Sequence, residues 1–133
     1  MTLFVCSGTE YCIEFDTQML ELFQNPVHVI MGHSAMTYIE LNNTSFEAAQ
    51  KIYEFARYML DNPISYLNDR QNAPLVLTNQ QINNVAVLFN NMLGHHDRNF
   101  YQELMQAANY LGFRSLYIVA SIFDSMAINN DNQ

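Results

Sequence analysis

At 133 residues, half of them apolar and 14% charged, the chain suits one domain that buries a core without metal or disulfide staples, and it is too hydrophobic for disorder. Polar residues interrupt every apolar run, which argues against a membrane span. Thirteen acidic residues against five basic ones give a formal charge of -8, and Lys51, Arg57, Arg70, Arg98 and Arg114 are scattered rather than clustered. Phosphate binding needs dense positive charge, so nucleic acid is not expected as a direct ligand and a basic protein surface is the better match.

The opening residues lack the basic start and long apolar run of a secretory signal, so a location inside the cell, cytoplasmic or nuclear, is expected. Leu3 to Cys6 and Tyr11 to Phe15 are short β-rich runs around Ser7-Gly8-Thr9-Glu10. They predict a hairpin in which Gly8 takes the positive φ of a tight turn. Cys6 and Cys12 flank that turn and could approach one another. In a cytosolic chain, however, two such thiols are expected as buried small hydrophobes rather than as a disulfide.

Thr17 to Phe23 predicts a short helix carrying Met19, Leu20, Leu22 and Phe23, ended by Asn25-Pro26 because proline disfavours helix at the residue before it. Val27 to Met31 fits helix or strand equally, and Tyr38 to Leu41 alternates as a third strand should. Thr44-Ser45-Phe46-Glu47 reads as a capping box with Thr44 as the cap. The helix after it places Ala49, Ile52, Tyr53, Ala56, Met59 and Leu60 on one stripe until Asn62-Pro63. Residues 61–73 form a polar surface connection.

Thr78-Asn79-Gln80-Gln81 opens a second helix with Ile82, Val85, Ala86, Phe89, Met92 and Leu93 on one face before Gly94. Asp97 caps a third, with Tyr101, Leu104, Met105, Ala108 and Leu111 inward and Gly112 at the C′ position. A fourth runs from about Arg114 to Ala127 and carries Leu116, Val119, Ala120, Phe123 and Met126, before a polar tail, 129–133. The order of elements predicts an α+β domain over 1–128.

The segment Phe100-Tyr101-Gln102-Glu103-Leu104-Met105-Gln106-Ala107-Ala108-Asn109-Tyr110-Leu111, followed by Gly112-Phe113-Arg114-Ser115-Leu116, resembles the Skp and elongin C branch of the BTB/POZ superfamily. There an Ala-Ala-Asn-Tyr-Leu helix precedes a helix opening with a basic residue, a small residue and leucine. The hairpin Leu3 to Phe15 and the run Ile39-Glu40-Leu41-Asn42 resemble that family's first strands in the same order, and Phe89 stands where Skp proteins usually carry tryptophan. The likeness spans Leu3 to Ala127, strongest from Phe100 onward and weak from Asn25 to Thr37. It implies a BTB/POZ fold, a small three-stranded sheet flanked by a helical cluster.

It further implies a binding role, as a bridge between a cullin-like scaffold and an F-box or other helical receptor in ubiquitin ligation. Asn109 and Tyr110 would lie on the scaffold side, and Leu116, Val119, Phe123 and Met126 could offer a helical stripe to the receptor. On residue type alone Tyr110 fits a core position, and Asn109 a merely solvated one, just as well. In isolation the stripe is also more often core. Skp proteins complete their F-box grip with further C-terminal helices, whereas this sequence stops at Asn129-Asn130-Asp131-Asn132-Gln133, so the expected grip is incomplete. BTB domains commonly dimerise, and a homodimeric or structural subunit unconnected with ubiquitin is the alternative reading.

His95-His96-Asp97 invites a metal or general-base reading, but no Cys or His lies at the spacing of a recognised zinc motif, and a solvated connector is expected. His28 and His33 have no second pair, and the four glycines never form a phosphate loop. Neither cysteine sits in a local catalytic signature. No catalysis, metal or cofactor is expected.

Overall fold

The computed structural model describes residues 2–7, 10–23, 29–31, 36–67 and 77–131. Four strands, β1 (Thr2–Ser7), β2 (Tyr11–Phe15), β3 (Val29–Met31) and β4 (Met36–Glu40), form one mixed sheet in the order β2-β1-β4-β3. Among the described residues five α-helices follow: α1 (Phe46–Asp61), α2 (Asn79–Leu88), α3 (Asn90–Leu93), α4 (Arg98–Leu111) and α5 (Arg114–Asp131). Three strands of five or six residues carry the sheet. The fourth, β3, adds a three-residue edge to the expected three strands and settles Val29 to Met31 as strand.

β1 and β2 are an antiparallel hairpin closed by the Glu10 amide donating to the Ser7 carbonyl at 2.9 Å. Gly8 lies outside the described residues. β4 enters parallel to β1, with Val5 opposite Ile39. Because side chains alternate across a strand, Leu3, Val5, Phe15 and Ile39 share the face buried under the helices. Phe4, Cys6, Cys12, Glu14, Tyr38 and Glu40 take the other, and the Phe4 and Tyr38 rings stack there at 5.7 Å.

That register overturns the expected free thiols. Cys6 and Cys12 are direct cross-strand partners, their Cα atoms 4.1 Å apart, and they are joined as a disulfide. Antiparallel neighbours at such a position already hold their Cβ atoms at bonding range, so the hairpin itself prepares the bridge. Closing so short a loop contributes about 2 kcal/mol in the chain-entropy picture.

The segment Thr17–Leu22 forms a 3-10 helix rather than an α-turn, with Met19 and the following Phe23 buried. The expected stop at Asn25-Pro26 lies outside the described residues. A second 3-10 turn, Ser65–Leu67, follows α1 and buries Leu67.

α1 starts one residue later than its sequence suggests. Ser45, not Thr44, is the N-cap, its hydroxyl accepting from the Ala48 amide at 3.1 Å. With Ala48 at N3 no local carboxylate can close the box, and Glu103 of α4 does so instead by accepting from the Ser45 amide. Thr44 turns inward, and its carbonyl accepts from the Tyr11 hydroxyl at 2.9 Å. By contrast, the box at Thr78 and Gln81 forms as expected, with bonds of 2.9 and 3.1 Å.

The buried face of α1 is Ala48, Ala49, Ile52, Phe55, Ala56 and Met59; Tyr53 and Leu60 sit at its margins. Phe55 meets Phe89 at 5.0 Å and Phe113 at 5.5 Å, and Phe113 meets Phe23 at 5.3 Å. This aromatic cluster joins the strand-rich half of the chain to the helices. The helix expected over 79–93 is broken at Phe89, whose φ of -100° and ψ of 8° divide α2 from α3 as its ring turns onto Phe55 and Tyr58.

The chain then leaves α3 through Gly94, which is extended, and passes the left-handed conformation to His95 at φ 66°. A Cβ on Gly94 would lie 2.5 Å from the Asn90 carbonyl oxygen, which is backbone and cannot swing aside. Gly94→Ala should therefore lower stability by about 1 to 3 kcal/mol, read from the urea midpoint at unchanged m-value.

α4 is capped by the Asp97 carboxylate accepting from the Phe100 amide at 2.9 Å. It ends in a Schellman turn: Gly112 is left-handed at φ 71°, and the Phe113 amide donates to the Ala108 carbonyl at 2.8 Å. That reversal lays α5 along α4. Arg98 at the start of α4 donates to Asp124 of α5 at 3.2 Å, holding a side chain that is only 13% exposed. α5 runs four residues past the expected end at Ala127. No helix among the described residues is long and apolar enough to cross a membrane.

Candidate functional site

An amphipathic helix packed on one side must show its other side to solvent or to a partner. α4 buries Phe100, Tyr101, Leu104, Ala107, Ala108 and Leu111. Gln102, Gln106 and Asn109 are exposed on its outer face, with Met105 and Tyr110 half-buried at the flanks.

Two depressions meet there. The more open one, about 350 Å³, lies between α4 and the start of α5 and is lined by Gln102, Met105, Gln106, Asn109 and Tyr117. The more enclosed one, about 260 Å³, lies between α4 and the loop leaving β4. Gln106, Ala107 and Tyr110 form its helical wall, and Leu41, Asn42, Asn43 and Thr44 form the other. Gln106 belongs to both, so they are neighbouring lobes of one surface.

The loop wall is fixed by two hydrogen bonds and one left-handed residue. The Leu41 amide donates to the Cys6 carbonyl at 2.8 Å, Asn43 adopts φ 62°, and Tyr11 holds the Thr44 carbonyl from below. Asparagine tolerates that left-handed conformation better than most residues. Burial, more than any other influence, raises the pKa of the Tyr11 hydroxyl, which favours its neutral, donating form.

Among the described residues, none lining either lobe is charged, in a chain of net charge -8. Five carboxamides, Gln102, Gln106, Asn109, Asn42 and Asn43, offer paired donors and acceptors, while Tyr110, Tyr117, Met105 and Leu41 supply apolar area. Such a surface can hold polypeptide through hydrogen bonds and an apolar side chain in each lobe.

Asn109 and Tyr110 thus lie on neighbouring lobes of the same surface. The other four singled-out residues do not join them. Leu116, Val119 and Phe123 are buried, and only Met126 is exposed. Of the two readings open for this stripe, its first three members take the core one, because the tight Gly112 turn lays α5 along α4. Phe123 stacks on Tyr101 at 5.8 Å.

His96 stacks on Phe100 at 4.0 Å, and its Nδ1 lies 3.9 Å from a Glu47 carboxylate oxygen. His95 is exposed; His28 and His33 lie outside the described residues. Among the described residues, no three His, Cys, Asp or Glu side chains gather as a metal site would require.

Sequence reasoning missed Gln102, Gln106, Tyr117 and the loop from Leu41 to Thr44. The spacing of Gln102, Gln106 and Asn109 marks the polar face of one helix, a signal present in the chain. The loop is some sixty residues away in sequence, and no local pattern could have paired it with α4. No protein-family model matches this chain, and no curated protein sequence matches it significantly.

Proposed function

We propose that this chain is a non-catalytic protein-binding adaptor of the BTB/POZ type, resembling the Skp and elongin C subunits that bridge a cullin-like scaffold and a receptor in ubiquitin ligases. The observation that carries the reading is the uncharged two-lobed surface on α4, with Asn109 in one lobe and Tyr110 in the other. Interfaces favour such tyrosines and deplete charge at their centre. A small sheet that begins with the β1-β2 hairpin and is followed by helices fits the α+β class that the resemblance implies.

A pull-down with a cullin amino-terminal region tests it. Wild type should be retained, and Asn109→Lys/Tyr110→Lys should lose at least about tenfold in affinity, since truncating or charging an interface centre commonly costs 2 kcal/mol or more. Equal binding by both, or by neither, removes the cullin assignment.

A second reading, a structural subunit or homodimer that has left ubiquitin chemistry, is favoured by a different observation. The stripe of α5 is core, while Val87 on α2 is 79% exposed beside the exposed Leu88. Light scattering separates the two readings, because a tight dimer that ignores cullins and F-box peptides fits only the second.

A further inference from the structure

The Cys6–Cys12 bridge lies on the outward face of the sheet, and its two sulfurs are unequally accessible. Cys12 is exposed, whereas Cys6 is 9% exposed between β2 and β4. Attack on a disulfide is governed in part by access. A small thiolate approaching from solvent therefore meets the sulfur of Cys12. The bridge is also largely redundant for the hairpin, because the pairs Val5 with Ile13 and Ser7 with Tyr11 hold the strands in register on either side of it. A link that closes so few residues adds only modest stability, so the ladder keeps the hairpin folded when the bridge is reduced.

We propose that Cys12 is a site of thiol–disulfide exchange with a low-molecular-weight thiol couple, with Cys6 as its resolving cysteine, and that the exchange sets the order of the loop 41–46. In the reducing direction a thiolate RS⁻ bonds to Sγ of Cys12. The bond between the two protein sulfurs breaks, and its electron pair leaves on Sγ of Cys6, which takes up a proton. A second RS⁻ attacks the small-molecule sulfur of the mixed disulfide, forming RSSR and releasing Cys12 as thiolate, which is then protonated. Two thiols are oxidised by two electrons in all, and one protein disulfide is reduced to two thiols. In the oxidising direction Cys12 takes the adduct from RSSR, and Cys6 displaces it.

The loop is wired to both cysteines. The Cys6 carbonyl accepts the Leu41 amide at 2.8 Å. Tyr11, next to Cys12, donates to the Thr44 carbonyl and sets its ring edge-on to Phe46 at 5.7 Å. Breaking the bridge keeps the strand register but removes the covalent restraint beside the turn, where both of these contacts originate. Leu41 and Thr44 line the enclosed lobe, so the state of the bridge reaches that surface whatever binds there.

The test uses the full chain equilibrated across reduced-to-oxidised glutathione ratios, alkylated, and weighed intact. The bridge should open within the span of ratios that separates reducing from oxidising compartments. Cys6→Ser should accumulate a glutathione adduct on Cys12 at least about tenfold above the adduct on Cys6 in Cys12→Ser, following exposure. Cys6→Ala replaces Cys6→Ser if the hydroxyl unsettles the sheet. Hydrogen exchange should quicken about threefold over 41–46 on reduction and remain unchanged over 114–128. A bridge that resists every ratio, equal adducts in the two variants, or identical exchange over 41–46 in both states would each overturn the proposal.

Discussion

Phe55→Ala is expected to lower stability by about 3 to 5 kcal/mol, the range for deleting a fully buried aromatic ring. Its side chain is completely enclosed, against Phe89 on one side and Phe113 on another. Truncation would leave a void bounded by two rings that cannot both move in, since Phe89 sits at the break between α2 and α3 and Phe113 directly follows the Gly112 turn. Domains of this size have about 5 to 15 kcal/mol in total, so the variant should lose a large share of its margin. The measure is the urea midpoint. Phe46→Ala, at a half-exposed ring on the same helix, should shift it far less.

Phe55 also shows where sequence patterning ends. The stripe drawn from Ala49, Ile52, Tyr53, Ala56, Met59 and Leu60 was rotated slightly from the buried face, which is centred on Ile52, Phe55 and Met59. Both stripes have helical spacing. What chooses between them is the position of Phe89 and Phe113, supplied by chain more than thirty residues away. The strands of the hairpin, the ends of α1 at Asn62 and of α4 at Gly112, and the Thr78 box were legible because each depends on neighbours within four residues. The cap at Ser45 and the break at Phe89 depend on partners the local pattern does not contain, whereas the Cys6–Cys12 pair flanked the expected turn and was set aside only on the expected compartment. Of the surface on α4, the helical half with Asn109 and Tyr110 was visible in sequence and the loop half was not.

Leu116→Ala is expected to lower stability by about 2 to 5 kcal/mol. An exposed binding stripe would predict almost no change in the free protein. Leu116 is fully buried with Val119 and Ala120 one turn on, so the loss should appear in the chain alone, without any partner. Met126→Ala, on the same helix but exposed, should stay within about 0.5 kcal/mol of wild type. The pair of midpoints separates core from interface along α5. A Leu116→Ala variant as stable as wild type would return that stripe to the surface.

The cap of α1 is completed by Glu103, a residue 58 positions away on α4. A helix start is ordinarily a local decision that the chain can make as soon as four residues are available. Here the amide of Ser45 finds its protein acceptor only once α4 has docked, and water serves until then. The strand-rich half therefore gains its last cap from the helical half. Together with the Phe23, Phe113 and Phe55 contacts, this ties the two halves into one packed unit, which is expected to melt in a single transition.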